Sequence, residues 1–385
     1  MAYCYLRSMA TKYVSSLCWK KFLNLVFVLF LLTPAVVNFW RGTWYLFDLF
    51  LFPGDAVVSA IVGATASFGV IFMITAIEDH LKKFLNGAKA KNALFRVLIY
   101  LLSILCVASW RGLWMIVDYY TTNSSTSAGV SHGIGFFIVL MLNTPRSIIA
   151  VPGYCVSERQ TEPSEVILTV KHCLRSKTAC YSRIWNSFVT VFINSAGVIV
   201  YWRGTWIIVA SVTWPCGSKF KSSVLALGLG YAVFIACYFM SEYLLSSELY
   251  MAHVLLLRAM QTVVEKSFVY LLGFGVVASW QGIWHLMDVN LLPDQPIVSA
   301  LVGHFVAAGV LFLFQGSLNL LSAPATCAIS DELMLHGFHM GNFLKIRSES
   351  CKAGENYSLE YHLPEENVNS SHAEILYMST IYKSN

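Results

Sequence analysis

Four copies of one short motif, Trp-Arg/Gln-Gly-x-Trp, recur along this chain of 385 residues. Each copy lies near the end of a long apolar run. Because tryptophan is rare, four copies indicate an internal repeat, and a repeat constrains the architecture before any other feature does. The four copies are Trp40-Arg41-Gly42-Thr43-Trp44, Trp110-Arg111-Gly112-Leu113-Trp114, Trp202-Arg203-Gly204-Thr205-Trp206 and Trp280-Gln281-Gly282-Ile283-Trp284.

The repeat extends beyond the motif. An aspartate follows the first tryptophan by eight positions in units one, two and four, as Asp48, Asp118 and Asp288, whereas unit three has Ala210 there. Pairs of small residues follow at equal offsets, and small residues four apart let membrane helices approach closely. These pairs are Ser59/Gly63, Gly129/Gly133 and Ser299/Gly303.

Composition places the chain in a membrane. It is 57% hydrophobic and 12% charged, against about 25% charged residues in soluble domains. Apolar runs long enough to cross a bilayer recur throughout. We therefore predict an all-α polytopic membrane protein with eight transmembrane helices, arranged as four tandem helical hairpins. The predicted spans are 22–47, 56–77, 94–118, 128–150, 184–211, 222–246, 264–288 and 296–320.

This pattern predicts three regions along the chain. Residues 1–21 form an N-terminal segment, residues 22–320 form the transmembrane domain, and residues 321–385 form a polar tail. The predicted repeat units are 22–77, 94–150, 184–246 and 264–320.

Positive charge predicts the orientation. Of 26 Lys and Arg residues, 21 fall in the N-terminal segment, the connections between units and the tail. Positive residues collect on the cytoplasmic side, so both termini are expected in the cytoplasm and the motif-bearing ends outside. Asn123 begins an Asn-Ser-Ser sequence in an outside loop, which is a glycosylation acceptor pattern.

The motif charges need partners on other helices. Arg41 and Asp48 are seven positions apart, so they lie roughly 10.5 Å apart along a helix axis and cannot pair with each other. The chain carries three motif arginines and three motif aspartates, which favours a shared network between units that includes Gln281. Two interpretations remain open: a clamp between neighbouring units, with Trp packing on Gly, or a site that recognises an ion or solute.

Chemistry of other kinds is not indicated. The sequence has no nucleophile–base pair, no phosphate-binding glycine loop and no metal-ligand spacing, so we expect no enzyme activity, cofactor or metal site. His132 and His304 lie within apolar spans, where hydrogen-bonded packing competes with a proton relay. The basic balance favours contact with membrane lipid rather than nucleic acid. A transporter or channel, with a path lined by the first helix of each unit, is the alternative function.

Eight spans carrying WRGTW, SWRGLW, YWRGTW and SWQGIW resemble the insect Fuseless family over about residues 20–320. The resemblance implies a multi-pass protein of the neuronal, presynaptic plasma membrane. It further implies a role in organising voltage-gated calcium channels for transmitter release, with such a channel or a presynaptic scaffold protein as partner. No catalytic residues are implied.

The topology gives the first testable prediction. Epitopes at either terminus are expected to react with antibody only after cells are permeabilised. Glycosidase is expected to lower the apparent mass of the wild type and to leave the Asn123→Gln variant unchanged. A glycan on Asn356, which begins another Asn-x-Ser pattern in the tail, would contradict the orientation.

Overall fold

A computed structural model describes residues 19–87, 91–158, 179–213, 217–246, 255–326 and 343. These residues form helices, with no β-strand among them. In chain order the helices are α1 (Trp19–Phe50), α2 (Ala56–Ala76), α3 (Glu78–Gly87), α4 (Lys91–Tyr120), α5 (Ser125–Met141), α6 (Ala179–Phe188 continuing through Ser195–Thr213), α7 (Lys219–Ser246), α8 (Leu255–Asn290) and α9 (Pro296–Leu313).

Seven of the described helices are long and apolar enough to cross a membrane: α1, α2, α4, α6, α7, α8 and α9. The fourth predicted span, 128–150, differs, because α5 has only 17 residues where a full crossing takes about 20. Its helix stops before a left-handed Asn143 and Pro145, and proline cannot continue a helix. Residues 142–158 are instead irregular, apart from the 3₁₀ turn Pro145–Ile148.

Each unit contributes one inner and one outer helix. The motif-bearing helices α1, α4, α6 and α8 are the inner helices, and α2, α5, α7 and α9 are the outer ones. Each outer helix packs mainly against the inner helix of the next unit: α2 on α4, α5 on α6, α7 on α8 and α9 on α1. The predicted hairpins are therefore not the main packed pairs, because each unit closes against its neighbour and the fourth closes back onto the first.

The motif glycines permit these contacts between units. A Cβ on Gly112 would lie 2.6 Å from the Ala60 carbonyl oxygen and 2.7 Å from Ala64, both on α2. The other three copies meet the preceding outer helix in the same way, with a virtual Cβ 2.3–2.5 Å from a backbone nitrogen: Gly42 against His304, Gly204 against His132 and Gly282 against Leu227. Only glycine lets two backbones approach this closely.

The small residues of unit two lie in a different register from the expected one. Gly129 and Gly133 are exposed, and nothing lies within 4 Å of a Cβ on either. Ala128 and Ser131 are buried in their place. The connection before α5 is two residues shorter than its counterpart in unit four, since the Ala128 contact with Gly204 corresponds to that of Ala300 with Gly42. The equal sequence offset was therefore a wrong guide to packing in unit two.

The packed region continues past residue 320, where the sequence pattern places the start of the tail. A second 3₁₀ turn, Ser317–Leu320, follows α9, and Ala323 and Ala325 are buried. Phe343 is also buried. Residues 19–21 of the predicted N-terminal segment belong to α1, whereas residues 1–18 and the rest of the predicted tail lie outside the described residues.

The glycine contacts give a paired prediction. Gly112→Ala is expected to lower the free energy of unfolding by roughly 1–3 kcal/mol, because the methyl group overlaps the α2 backbone. Gly133→Ala is the matched control: it adds the same methyl group towards open space and improves helix propensity. Thermal unfolding of purified protein in one detergent would measure both. Equal midpoints for Gly112→Ala and wild type would refute the close approach.

Candidate functional site: two tryptophan layers and the Arg–Asp pairs between units

The first tryptophan of each motif meets its counterparts around a common axis. Neighbouring ring centroids are 5.1–5.7 Å apart and the ring planes are 75–83° from parallel, so each indole presents its edge to the next ring. Edge-to-face packing is a favourable aromatic geometry. The four indoles, which we call the inner layer, form a closed ring and are all buried: Trp40, Trp110, Trp202 and Trp280.

The second tryptophans repeat this arrangement one helical turn away. Their centroids are 5.8–6.0 Å apart, with interplanar angles of 86–88°. This outer layer is partly exposed and faces the motif end, where the short loops join inner to outer helices: Trp44, Trp114, Trp206 and Trp284. Eight indoles thus fill the axis over two layers.

Two irregular segments cover the inner layer from the opposite end. We call residues 145–152 and 317–324 the closing segments. The inner-layer indole N–H groups donate to backbone carbonyls of these segments: Trp40 to Leu320 at 3.1 Å, Trp110 to Ala323 at 2.6 Å, Trp202 to Ile148 at 2.8 Å and Trp280 to Val151 at 2.6 Å. No inner-layer N–H is left unpaired, which matters because a buried donor without an acceptor costs free energy.

Residues that follow the first closing segment bind the second one. Asn319 accepts from the Val156 N–H at 2.8 Å and donates to the Val156 carbonyl at 2.7 Å. Glu158 accepts from the N–H and hydroxyl of Ser317 and from Arg96 Nε, the last at 3.1 Å. Sequence patterns had not singled out these segments, because they contain neither helical periodicity nor the motif.

Each motif arginine pairs with the aspartate of the preceding unit. The Nε to Oδ1 distances are 2.6 Å for Arg41–Asp288, 2.7 Å for Arg111–Asp48 and 2.6 Å for Arg203–Asp118. The arginine side chains are 0–4% exposed and the aspartates 31–38%. Each pair therefore links two inner helices where a buried cation reaches a partly hydrated anion.

The fourth contact between units lacks both charges. Gln281 stands where the arginine would be, and its Nε2 donates to the Trp206 carbonyl at 2.9 Å. Its partner under the same rule would be residue 210, which is an alanine. Gln281 and Ala210 therefore depart from the motif together. With alanine at 210, an arginine at 281 would be buried without an anion, and that is costly.

The three arginines differ in their remaining partners. Arg203 also donates to Ser127, Ser131, Thr121 and Asn123, at 2.9–3.4 Å. Arg41 donates to Ser299 at 3.2 Å, while its Nη1 has no hydrogen-bond partner among the described residues.

Asn123 is exposed at the motif end, and its glycosylation remains a prediction.

Both histidines singled out in the sequence are hydrogen-bonded at each ring nitrogen. His304 Nδ1 lies 2.7 Å from Thr43 Oγ1, and Nε2 lies 2.6 Å from the Tyr100 hydroxyl. Because Thr43 donates its own proton to the Phe39 carbonyl, it accepts from Nδ1–H, and Tyr100 donates to Nε2. A neutral imidazole satisfies this arrangement, which favours packing over a proton relay. His132 repeats it with Thr205 and Tyr270.

The family model described as Fuseless matches residues 20–321, which is most of the chain. No curated protein and no solved structure matches. The match spans all four motif copies and both closing segments up to residue 321, so the chain belongs to the Fuseless family and is a multi-pass membrane protein.

The charge pairs give a double-variant prediction. Arg111→Ala leaves Asp48 without its cation, and breaking a buried pair costs roughly 3–5 kcal/mol; we expect the low end, because Asp48 is partly hydrated. Surface expression should fall. Asp48→Asn in the same chain should restore most of it, since no uncompensated charge then remains.

Asp118→Asn is the matched control for that rescue, because Asp118 pairs with Arg203 and not with Arg111. Combined with Arg111→Ala, it should lower surface expression further. Flow cytometry of intact cells, with the epitope in a loop at the motif end, would measure these three variants and the wild type. Equal rescue by Asp48→Asn and Asp118→Asn would show that the pairing is not specific.

Proposed function

From membership of the Fuseless family and a bundle whose axis is filled, we propose that this chain is a non-enzymatic membrane scaffold. Its role is to organise voltage-gated calcium channels in the presynaptic plasma membrane and so to support neurotransmitter release. The family resemblance supplies the synaptic part of this proposal, and the packing of the bundle supports the scaffold part.

The observation that carries the scaffold part is the closed axis. Two tryptophan layers occupy it, and the closing segments accept the N–H groups of the inner layer. A conducting path needs polar groups or water along its length, whereas here the axis is lined by indole rings packed edge to face. Such packing transmits force and keeps a fixed shape, because close-packed interiors deform little.

The Arg–Asp pairs support the same conclusion. In each pair the arginine Nε is already bonded to an aspartate Oδ1, so the charges connect units rather than face an open path. With both termini in the cytoplasm, the predicted tail would be presented to cytoplasmic parts of a channel or presynaptic scaffold protein, and the lipid-facing outer helices would contact membrane lipid.

A transporter or channel is the competing function. It would require the indole layers to separate, or a path between units instead of along the axis. The contact between units three and four lacks the Arg–Asp pair and is the natural place for such a path. This alternative predicts that purified protein in liposomes moves an ion or solute without any partner.

Two measurements on the same wild-type protein separate these functions. In neurons that lack the protein, its expression is expected to restore presynaptic calcium current and evoked release. In proteoliposomes the same protein is expected to give no flux of K⁺, Na⁺, Ca²⁺ or Cl⁻ above empty vesicles. The scaffold has no conducting path of its own, so function and flux are expected to separate.

Trp110→Ala and Gly133→Ala extend the experiment. Trp110→Ala removes one ring of the inner layer and should lower folded protein and neuronal rescue together, while the lipid-facing Gly133→Ala should rescue like wild type. Flux through wild-type protein, with rescue lost in variants that reduce that flux at normal surface level, would refute the scaffold and support transport.

A further inference from the structure

The two closing segments begin in the same way. A residue with a left-handed backbone precedes each 3₁₀ turn by two positions: Asn143 with φ 53° and Gln315 with φ 59°. The next residue, Thr144 in one half of the molecule and Gly316 in the other, leads directly into the turn. Thr144 and Gly316 are therefore equivalent positions in the two halves.

The inner helices beside these positions also correspond. Each contains one π-helical turn, Val28–Leu32 in α1 and Val189–Asn194 in α6. Such turns are rare and often mark functional sites. Leu32 and Asn194 each end the turn, eight residues before the inner-layer tryptophan of their helix. Leu32 faces Gly316 as Asn194 faces Thr144, so the two halves can be compared contact by contact.

In one half of the molecule, a hydrogen bond between Thr144 and Asn194 lies just before the closing segment. The Thr144 hydroxyl lies 2.7 Å from Asn194 Oδ1 and donates to it, and both residues are fully buried. This contact joins the residue before the closing segment to the inner helix.

In the other half, Phe343 takes the place of that contact. Glycine at 316 removes the side chain that threonine has at 144, and a Cβ there would lie 3.0 Å from Leu32 Cδ1 and 3.2 Å from Phe343 Cζ. The Phe343 ring stacks on Phe27, with centroids 5.5 Å apart and planes 19° from parallel.

Backbone contact and burial complete this site. The Phe343 N–H donates to Asn24 Oδ1 at 3.1 Å, and Phe343 is 2% exposed. Phe27 in turn packs edge to face on Phe314, at 5.2 Å. We call this site, formed by Asn24, Phe27, Leu32 and Gly316, the Phe343 pocket.

We propose that the Phe343 pocket is a binding site for one aromatic side chain, and that Phe343 occupies it reversibly. The inner-layer indole N–H groups donate to residues 148, 151, 320 and 323, and Phe343 is not among these acceptors. Release of Phe343 therefore leaves the ring intact. The empty pocket is then open to an aromatic side chain of a partner protein.

Burial of one aromatic side chain favours the bound form by a factor of roughly 10–100. Release is then infrequent but accessible, as expected of a switchable contact. This proposal concerns the protein alone and stands whether the bundle acts as scaffold or transporter.

Trypsin cleavage after Lys345 tests the proposal on the full chain in nanodiscs. Lys345 is two residues past Phe343, and a protease binds several extended residues around the bond it cuts, so cleavage there requires Phe343 to leave its pocket. Phe343→Ala is expected to speed this cleavage about 10-fold or more, because one buried aromatic contact is lost.

Variants outside the cleaved sequence separate release from altered trypsin preference. Gly316→Val fills the pocket and should also accelerate cleavage after Lys345, with the protease site unchanged. Thr144→Ala, which breaks the equivalent polar contact in the other half, should leave the rate at the wild-type value. Mass spectrometry of timed samples gives the rates, and monodisperse elution shows that each variant is folded.

If Gly316→Val does not fold, Asn24→Ala decides, because it removes the acceptor of the Phe343 N–H and should give a smaller acceleration. Wild-type rates for Phe343→Ala and for the folded pocket variant would overturn the proposal. An equal acceleration by Thr144→Ala would also overturn it, since the effect would then reflect general loosening of the closing segments.

Discussion

Edge-to-face packing of four indoles around one axis is the contact on which the rest of this structure depends. To bring the rings within 5.1–5.7 Å of each other, the inner helices must approach the axis closely and at equal height. The motif glycine, two residues after each first tryptophan, lets the outer helix of the preceding unit lie directly against the inner helix. The motif arginine, which lies between this tryptophan and this glycine in sequence, pairs with the aspartate of the preceding unit. One five-residue motif thus supplies the axial contact, the contact between units and the charge pair.

The molecule combines two kinds of internal symmetry. The motif tryptophans and glycines occur four times, because a closed ring of four indoles needs one tryptophan from each of four equivalent units. Within the described ranges, the closing segments, the π-helical turns and the Thr–His–Tyr contacts occur twice. Two closing segments suffice because each supplies two carbonyl groups, so four indole N–H groups are satisfied by two pieces of backbone. The Phe343 pocket lies where this two-fold correspondence fails, at Gly316, which takes the position that Thr144 has in the other half.

The sequence allowed part of this to be predicted, for definite physical reasons. A repeated motif with three arginines and three aspartates implied contacts between units, since residues seven apart on one helix cannot meet. It could not give the direction of pairing, because Arg111 could equally reach forward or back. Nor could it show that outer helices pack on the next unit, since short loops favour a hairpin. The register of Gly129 and Gly133 was wrong because a two-residue difference in loop length is not visible in the motif offsets. The closing segments were missed because backbone carbonyls carry no side-chain signal.

The central claim, that packed indoles fill and close the axis, is tested most directly by solvent exchange of the indole N–H protons. The protein would be labelled with ¹⁵N-tryptophan in nanodiscs, with signals assigned by single Trp→Phe variants. The inner-layer protons of Trp40, Trp110, Trp202 and Trp280, each bonded to a buried carbonyl, are expected to exchange far more slowly than those of the partly exposed Trp44, Trp114 and Trp206. Exchange of the inner layer as fast as that of the outer layer would mean that water reaches the axis, and would contradict a closed bundle.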